Sequence, residues 1–267
     1  MINFLGTISS TIMGFFLTLF APTHTLPTQC AQIKNVKFCY YQGHPASQRV
    51  VYFLHGYANN GEAWGWNPVT ERIEKEWSEQ KTPKPHVVSM SLGKYWWYTK
   101  KAQGKELEDF LVHFEKERGL KNPQRVLYGD SMGGHNSLRW AADYPALFNK
   151  LALICPALPY SFVNKFEGHE GLWPFNEMAN FALTRSYAET IPPLMSPLKD
   201  QKFWDPNHSI HDVHIIISTR DHFGFYAGGK ELYQLFKARA DYRVSLEEQD
   251  IRHCLADAKK LSAFMIQ

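Results

Sequence analysis

The sequence predicts an α/β fold in which a mostly parallel central sheet carries helices on both faces. The first observation is a set of short, nearly continuous apolar runs such as residues 49–56, which are typical of strands buried on both faces of a parallel sheet. The second is helical spacing between such runs, as at Leu107, Phe110, Leu111 and Phe114. Alternating strands and helices build a sheet covered on both faces.

The elements can be assigned in chain order from these two patterns. Asn67-Pro68 is a helix cap followed by a first helical residue, and Val69, Ile73 and Trp77 then repeat every four residues. The clearest strand contains three consecutive isoleucines at residues 215–217. Strands are predicted at residues 29–33, 36–40, 49–54, 86–91, in the run before residue 129, and at 151–155, 213–218 and 242–247. Helices are predicted after residue 67, around 107–114, after 131, around 232–236, and around 255–261.

Size and charge narrow the class of protein. A chain of 267 residues suits one α/β domain or two small ones, and 44% hydrophobic residues supply a sizeable core. The 29 basic and 26 acidic residues give a net charge of +3, with no clustered basic run, so nucleic acid is not an expected partner.

The N-terminal segment differs from the rest of the chain. Residues 1–30 contain no Lys, Arg, Asp or Glu, and residues 4–20 are mostly apolar. This pattern predicts a secretory signal peptide, cleaved between residues 21 and 30, that precedes a domain of residues 31–267. The expected location is therefore secreted or periplasmic. The alternative is an uncleaved N-terminal anchor, which would be the chain's only membrane contact.

Export would permit a disulfide bond among the four cysteines. If residues 29–33 and 36–40 form a hairpin around Lys34-Asn35, Cys30 faces Cys39 across it. A Cys30–Cys39 disulfide is therefore predicted. The competing interpretation is a lipid on Cys30, which the preceding residues favour less because they are not small.

The sequence Gly129-Asp130-Ser131-Met132-Gly133 follows an apolar run and precedes a helix-like pattern. This is the strand–turn–helix context of a nucleophile elbow. The turn is tight enough to require small residues on both sides of the serine. Ser131 is therefore the predicted nucleophile, and the backbone N–H of Met132 a predicted oxyanion donor.

A serine nucleophile needs a base and an acid that orients the base. Asp221 follows the strand at 213–218, and His253 follows the last predicted strand, so both lie at carboxyl ends of strands in the order Ser, acid, His. We predict Asp221 as the acid and His253 as the base. Asp250, expected on the same loop as His253, is the alternative acid, and His222 is expected to pack or face solvent.

Two further assignments concern the loops and the histidines. The backbone N–H of Tyr57, after the strand at 49–54, is the second predicted oxyanion donor, and His55 is expected to shape that loop. His208, His211 and His214 resemble a metal motif, but they pass from a loop into a strand and should diverge. No metal or other cofactor is expected.

With these residues in place, the chain resembles the esterase D group of α/β-hydrolases, which includes S-formylglutathione hydrolases, feruloyl-type esterases and mycolyltransferases. The resemblance runs from about residue 36 to the C-terminus. It rests on residues 54–57, 93–98 and 129–135 and on the loops that hold Asp221 and His253. It implies an α/β-hydrolase fold, the triad Ser131, Asp221 and His253, oxyanion amides at Tyr57 and Met132, and ester chemistry.

A Pro- and aromatic-rich segment, residues 157–205, is predicted to form a cap over Ser131. The predicted substrate-binding residues are Trp173 in this segment and Trp96 and Trp97, which are expected to form another wall of the site. The alternative is that these aromatic side chains only bury one another. The expected substrate is a small-molecule or carbohydrate-linked ester.

The sequence thus predicts a secreted serine hydrolase that cleaves carboxylic esters through an acyl-enzyme intermediate. The same triad would serve an acyltransferase or an amidase. A non-catalytic binding protein on a hydrolase scaffold is the alternative from another class, and it would need none of the three triad residues.

Overall fold

The computed structural model describes residues 29–98, 100–158, 208–221 and 223–267. These residues form one eight-stranded sheet with the order β1-β2-β4-β3-β5-β6-β7-β8. The strands are β1 (Gln29–Ile33), β2 (Val36–Tyr41), β3 (Arg49–Leu54), β4 (His86–Ser91), β5 (Gln124–Asp130), β6 (Lys150–Ile154), β7 (Asp212–Arg220) and β8 (Arg243–Arg252). The six strands from β4 to β8 in this order are parallel, and β1 and β2 extend the sheet in antiparallel register. The predicted α/β fold with a mostly parallel sheet is confirmed.

The predicted hairpin is present at the edge of the sheet. Cys30 lies opposite Cys39 in the register of β1 and β2, and the two sulfur atoms are bonded. The disulfide prediction is therefore confirmed. Strand β1 already begins at Gln29, so the strand starts two residues before the predicted domain boundary.

Five α-helices cover the sheet within the described ranges. They are α1 (Pro68–Glu79), α2 (Lys101–Glu117), α3 (Met132–Asp143), α4 (Phe225–Lys237) and α5 (Lys259–Ile266), and a short 3-10 turn occupies Ala63–Gly65. Helices α2, α3 and α4 pack on one face, and α1 and α5 on the other.

The core is divided by the sheet because successive side chains of a strand point to opposite faces. In β3, Tyr52 and Leu54 pack with α2, α3 and α4, whereas Val51 and Phe53 pack with α1 and α5. All four side chains are fully buried. Burial on both faces explains why this strand is an unbroken apolar run in the sequence.

Helix α1 begins as its sequence predicts. The Asn67 side-chain oxygen accepts a hydrogen bond from the Val69 N–H at 2.8 Å, and Pro68 is the first helical residue. Trp77 is buried at the far end, where its indole N–H donates to the Ser262 carbonyl of α5 at 3.0 Å. This bond joins the two helices that cover the same face.

Several strand ends differ from prediction by one or two residues, and two elements near the C-terminus differ by more. Strand β8 runs for ten residues to Arg252, whereas a short strand ending at residue 247 is predicted. Its residues alternate between exposed and half-buried, and it pairs in parallel with all of β7. Asp250 therefore lies in this strand and not in a loop. The last helix begins only at Lys259, because Leu255 is exposed and belongs to the preceding turn.

No helix within the four described ranges is both long and apolar enough to cross a membrane. Most of the predicted signal segment, nearly all of the predicted cap at 157–205 including Trp173, and His222 lie outside the described residues.

Candidate active site

Ser131 lies at the sharp turn between β5 and α3. Its backbone has φ 50° and ψ −117°, a conformation that non-glycine residues rarely adopt. The turn is held by hydrogen bonds from the Ser131 N–H to the Ile154 carbonyl and from the Ala157 N–H to the Ser131 carbonyl, both at 2.9 Å. This is the strained strand–turn–helix geometry that presents a nucleophile at the edge of a sheet.

The two glycines of the motif are required by close backbone approach. A Cβ at Gly129 would lie 2.3 Å from the Gly133 carbonyl oxygen. One at Gly133 would lie 1.8 Å from the Leu54 carbonyl oxygen at the end of β3. Both positions have negative φ, so the requirement is space and not backbone conformation.

The side chains of Ser131, His253 and Asp221 form a continuous hydrogen-bonded chain. His253 Nε2 lies 2.8 Å from Ser131 Oγ, and His253 Nδ1 lies 2.5 Å from Asp221 Oδ2. The carboxylate can only accept, so Nδ1 carries a proton, and in the neutral ring Nε2 is free to accept the serine proton. The residues come from the ends of β5, β7 and β8, which the parallel sheet places at one edge.

An irregularity at the end of β7 directs Asp221 toward His253. The β7–β8 register shifts between Ser218 and Arg220, and the Ser218 hydroxyl donates to the Ile251 carbonyl of β8. Such bulges bend a strand and re-aim the residue that follows it. Asp221 is buried, and its second oxygen accepts a hydrogen bond from the Phe223 N–H at 2.8 Å.

The environment of His253 favours its charged form. Burial lowers its pKa, but the charge and hydrogen bond of the Asp221 carboxylate and the interactions with Cys155 together outweigh burial, and the pKa is raised above the ordinary value of 6.5. The rings of Phe223 and Phe225 pack against the imidazole, with centroids 4.8 and 5.6 Å away. These rings hold the imidazole in place at the edge of the site.

The two predicted oxyanion donors belong to residues next to Ser131 in the chain or next to a residue that lies close to it. Met132 is the first residue of α3, where a backbone N–H has no acceptor within the helix. Tyr57 follows Gly56, and a Cβ at Gly56 would be only 3.5 Å from Ser131 Cβ. The loop after β3 therefore lies against Ser131.

His55 links this loop to the end of β4. Its Nδ1 donates to the Gly56 carbonyl at 2.8 Å, which leaves Nε2 to accept from the Ser91 hydroxyl at 2.8 Å. Burial lowers its pKa to about 4, although the bond to Gly56 opposes this. His55 is thus a neutral residue that orients the loop.

A buried carboxyl group beside Ser131 was not identified from the sequence. Asp130 accepts a hydrogen bond from the Asn67 side-chain amide at 3.1 Å, and its other oxygen is buried without a hydrogen-bond partner among the described residues. Desolvation raises its pKa to about 7, despite the opposing charge of His253. The cap of α1 therefore also contacts the residue before Ser131, a contact between segments 63 residues apart that local spacing does not reveal.

Two free cysteines also lie at this site. Cys254 Sγ is 3.5 Å from His253 Nε2, and the Cys254 N–H donates to Cys155 Sγ at 3.3 Å. The pKa of the Cys155 thiol is lowered, chiefly by its interaction with the Cys254 thiol and also by His253, and these effects outweigh burial. The ligand atoms of Cys155, His253 and Cys254 all lie within 4.8 Å of one another and could hold a metal ion.

The remaining predicted residues occupy separate places. Trp96 and Trp97 are 8% and 7% exposed and pack in the core, so little of either ring is accessible. His208 bonds to Asp241, and its ring lies 4.9 Å from that of His211. His214 bonds to the Ser245 hydroxyl, so only the third of these histidines takes a separate course, and the expected divergence is partial.

Tyr57 and Tyr95 form an exposed aromatic pair beside the site. Their side chains are 41% and 51% exposed, and the ring centroids are 4.8 Å apart. The two loops are joined by a hydrogen bond from the Ala58 N–H to the Lys94 carbonyl at 3.0 Å. The two tryptophans that follow Tyr95 are the residues predicted from the sequence, because a row of large aromatic residues does not reveal which side chains point to solvent.

The fold and this site define an α/β-hydrolase. A family model described as putative esterase matches residues 36–226, and the chain belongs to that family. The fold is similar to that of a ferulic acid esterase, with a TM-score of 0.65, 14% identity and coverage of 92% of this chain and 98% of that one. An S-formylglutathione hydrolase from Staphylococcus aureus gives a TM-score of 0.60 at 12% identity, over 91% of this chain and 99% of that one. The resemblance to this group is confirmed.

A third similarity is to a curated protein. The chain is 30% identical over 145 residues to the monoacylglycerol lipase abhd6-A of Xenopus laevis. The match covers 51% of this chain and 39% of that lipase.

Proposed function

We propose that this protein is an exported serine hydrolase that cleaves carboxylic esters through an acyl-enzyme intermediate. The observation that carries the proposal is the hydrogen-bonded chain from Ser131 through His253 to Asp221, with distances of 2.8 and 2.5 Å. Membership of an esterase family supports the reaction type.

In the proposed reaction, Ser131 Oγ attacks the ester carbonyl and its proton passes to His253 Nε2. The tetrahedral intermediate expels the alcohol, which takes that proton from His253. Water then loses a proton to His253 and attacks the acyl-enzyme, which releases the carboxylic acid and restores Ser131. Asp221 holds the imidazole in the required tautomer and stabilises its charged form.

The negative charge of both tetrahedral intermediates is assigned to the backbone N–H groups of Met132 and Tyr57. The support is positional: Met132 begins α3, and the Tyr57 loop contacts Ser131 through Gly56. Donors fixed by the backbone stabilise a developing oxyanion without reorganisation during the reaction.

The proposed substrate is a small-molecule or carbohydrate-linked ester, bound in part by the exposed pair Tyr57 and Tyr95. Aromatic faces stack on aromatic acyl groups or on sugar rings. Tyr95→Ala should raise KM for an aromatic acyl ester by about 2- to 12-fold, equivalent to about 0.5–1.5 kcal/mol of stacking. KM for an acetate ester, which offers no ring, should be unchanged. Equal KM values for both substrates in the variant and the wild type would remove Tyr95 from the proposal.

The triad is tested with p-nitrophenyl esters of increasing chain length. Ser131→Ala should reduce kcat by about 10⁴-fold or more, because the nucleophile acts as a unit with its base. The matched control is Ser78→Ala, which removes an exposed hydroxyl from the end of α1 and should hydrolyse the esters at the wild-type rate.

A fluorophosphonate probe distinguishes the possible failures. No hydrolysis with labelling of Ser131 would favour transfer to an alcohol acceptor, which the same triad allows. Absence of both hydrolysis and labelling would overturn the proposal and leave a binding protein on a hydrolase scaffold. Labelling of Ser131→Ala would show that the probe reacts elsewhere.

Export is supported by the Cys30–Cys39 disulfide, because such bonds persist in oxidising compartments. The composition of residues 1–30 supports a cleaved signal peptide. When the full chain is expressed, cell fractionation should find the protein outside the cytoplasm. N-terminal sequencing should find that the exported protein begins between residues 22 and 30. Cytoplasmic protein with an intact N-terminus would refute this part of the proposal, and membrane-bound protein with residues 1–20 retained would favour the anchor.

A further inference from the structure

The proposed reaction leaves two thiols unused at the centre of the site. Cys155 follows β6 and is fully buried, while Cys254 follows His253 and is half-buried. Both touch the catalytic edge: Cys254 Sγ lies 3.5 Å from His253 Nε2, and its N–H bonds to Cys155 Sγ. Acyl transfer from an ester needs neither sulfur.

The separation of these atoms fits a tetrahedral metal site. In a tetrahedral Zn²⁺ site, the bonds are about 2.3 Å to sulfur and about 2.0 Å to nitrogen. A sulfur ligand and a nitrogen ligand of the same ion then lie about 3.5 Å apart. Cys254 Sγ and His253 Nε2 are 3.5 Å apart, and Cys155 Sγ lies within 4.8 Å of both. Two thiolates and one imidazole favour Zn²⁺ and other thiophilic ions over Mg²⁺ or Ca²⁺. Three protein ligands would leave a fourth position open.

Both cysteines are held in a conformation that costs free energy. Cys155 has φ 41° and Cys254 has φ 56°, in the left-handed region that side chains other than glycine rarely occupy. The Cys155 N–H is fixed by a 2.7 Å bond to the Ile216 carbonyl. Strain of this kind persists only where the surrounding structure imposes it, and it is concentrated at functional sites. Here the strained backbone places the two sulfur atoms close to one imidazole nitrogen, His253 Nε2.

We propose that Cys155, Cys254 and His253 bind one thiophilic divalent cation, represented by Zn²⁺, and that binding switches off ester hydrolysis. Nε2 has one lone pair, which either accepts the Ser131 proton or coordinates the cation. Occupancy of the metal site and catalysis therefore exclude each other. The inhibitory part of this inference rests on the proposed function, whereas the binding part does not.

Binding is measured first, on the full chain with its disulfide intact and freed of metal by dialysis. Zn²⁺ is titrated in competition with a chromophoric chelator, and one ion per chain is expected. Cys155→Ser and Cys254→Ser should each weaken binding by about 100-fold or more, since loss of even an outer-shell partner costs 10–100-fold. The control is His211→Ala, which removes an exposed imidazole just before the amino end of β7. The site lies at the carboxyl ends of the strands, so this variant should bind Zn²⁺ as wild type does.

Inhibition is measured next as the ratio of p-nitrophenyl acetate hydrolysis with and without Zn²⁺, within each variant. Wild type and His211→Ala should be inhibited and should recover fully when a strong chelator is added. Cys254→Ser should need about 100-fold more Zn²⁺ for the same inhibition. Equal sensitivity of this variant and wild type, or inhibition that the chelator does not reverse, would overturn the inference.

The two proposals fail in different ways. Cysteine-dependent binding of one Zn²⁺ by a protein that hydrolyses no ester and takes no fluorophosphonate would support the metal site and refute the proposed function. Ester hydrolysis by a protein whose Zn²⁺ affinity is unaffected by Cys155→Ser and Cys254→Ser would refute the metal site alone.

Discussion

The carboxyl group of Asp130 should make the stability of this protein fall as pH rises from about 4 to about 7. Asp130 is buried beside Ser131, one of its oxygens accepts from Asn67, and its pKa is raised from the ordinary 3.8 to about 7, chiefly by desolvation. A carboxyl group whose pKa is higher in the folded state stabilises the fold below its unfolded-state pKa. That contribution is lost as pH rises through the folded-state pKa.

The change Asp130→Asn isolates this contribution, because an amide keeps the shape of the carboxyl group and does not titrate. A pKa difference of about three units corresponds to about 4 kcal/mol at about 1.36 kcal/mol per unit. The amide also places an N–H₂ at a buried position that has no partner among the described residues, at a cost of about 1–3 kcal/mol that does not depend on pH. The free energy of unfolding of the variant minus that of wild type should therefore increase by about 4 kcal/mol between about pH 4 and pH 8, whatever the absolute stability of the variant.

The assay is urea unfolding of both proteins at several pH values across that range, with the disulfide intact. The free energy of unfolding of the variant minus that of wild type should increase with pH and level off above about pH 7. The matched control is Asp250→Asn, which makes the same substitution at a side chain in β8 that is 77% exposed. A flat difference for Asp130→Asn would refute the assignment of a raised pKa to this group.

Two further predictions test the triad and the elbow. Asp221→Asn should lower kcat by about 10³–10⁴-fold. It should also move the acid limb of kcat/KM to lower pH, because the Asp221 carboxylate raises the His253 pKa in the wild type; an unmoved limb would contradict this. Gly133→Ala would place a Cβ 1.8 Å from the Leu54 carbonyl oxygen and should destabilise the fold by about 1–3 kcal/mol or more in thermal unfolding. Gly61→Ala, whose Cβ meets its nearest atoms at 3.4 Å, should change stability by less than about 1 kcal/mol, and equal losses in both variants would refute the steric reasoning.

The sheet could be predicted because its residues obey local rules. A strand such as β3 is apolar on both sides because helices cover both faces, and this leaves an unbroken run in the sequence. The hairpin register follows from counting outward from the two-residue turn at Lys34 and Asn35. Strand β8 was underestimated because it is an edge strand with exposed side chains, so its last residues carry no apolar signal.

The candidate site was accessible to prediction where its residues lie at carboxyl ends of strands. Ser131, Asp221 and His253 follow β5, β7 and β8, and a parallel sheet brings such ends together. Asn67 gave no such signal, because its role as a helix cap already accounts for its presence in the sequence. Its contact with Asp130 depends on how α1 packs on the sheet, which local periodicity does not determine.

Backbone strain connects the nucleophile with the two cysteines. Among the described residues other than glycine, six have positive φ, and four of these lie in loops at the catalytic edge: Ala58, Ser131, Cys155 and Cys254. Each strained backbone conformation costs about 1–3 kcal/mol, so the four together destabilise the fold by roughly 4–12 kcal/mol. In the proposed function, the strain at Ser131 presents the nucleophile. Hydrolysis gives no reason for the same strain at Cys155 and Cys254, whose sulfurs it directs at His253. A metal ion bound by His253 and both sulfurs supplies such a reason. The substitution Cys254→Gly relieves the backbone strain and removes the thiol. It should therefore stabilise the fold and abolish Zn²⁺ sensitivity together. If the variant is instead less stable, the Cys254 side chain contributes packing that outweighs its backbone strain.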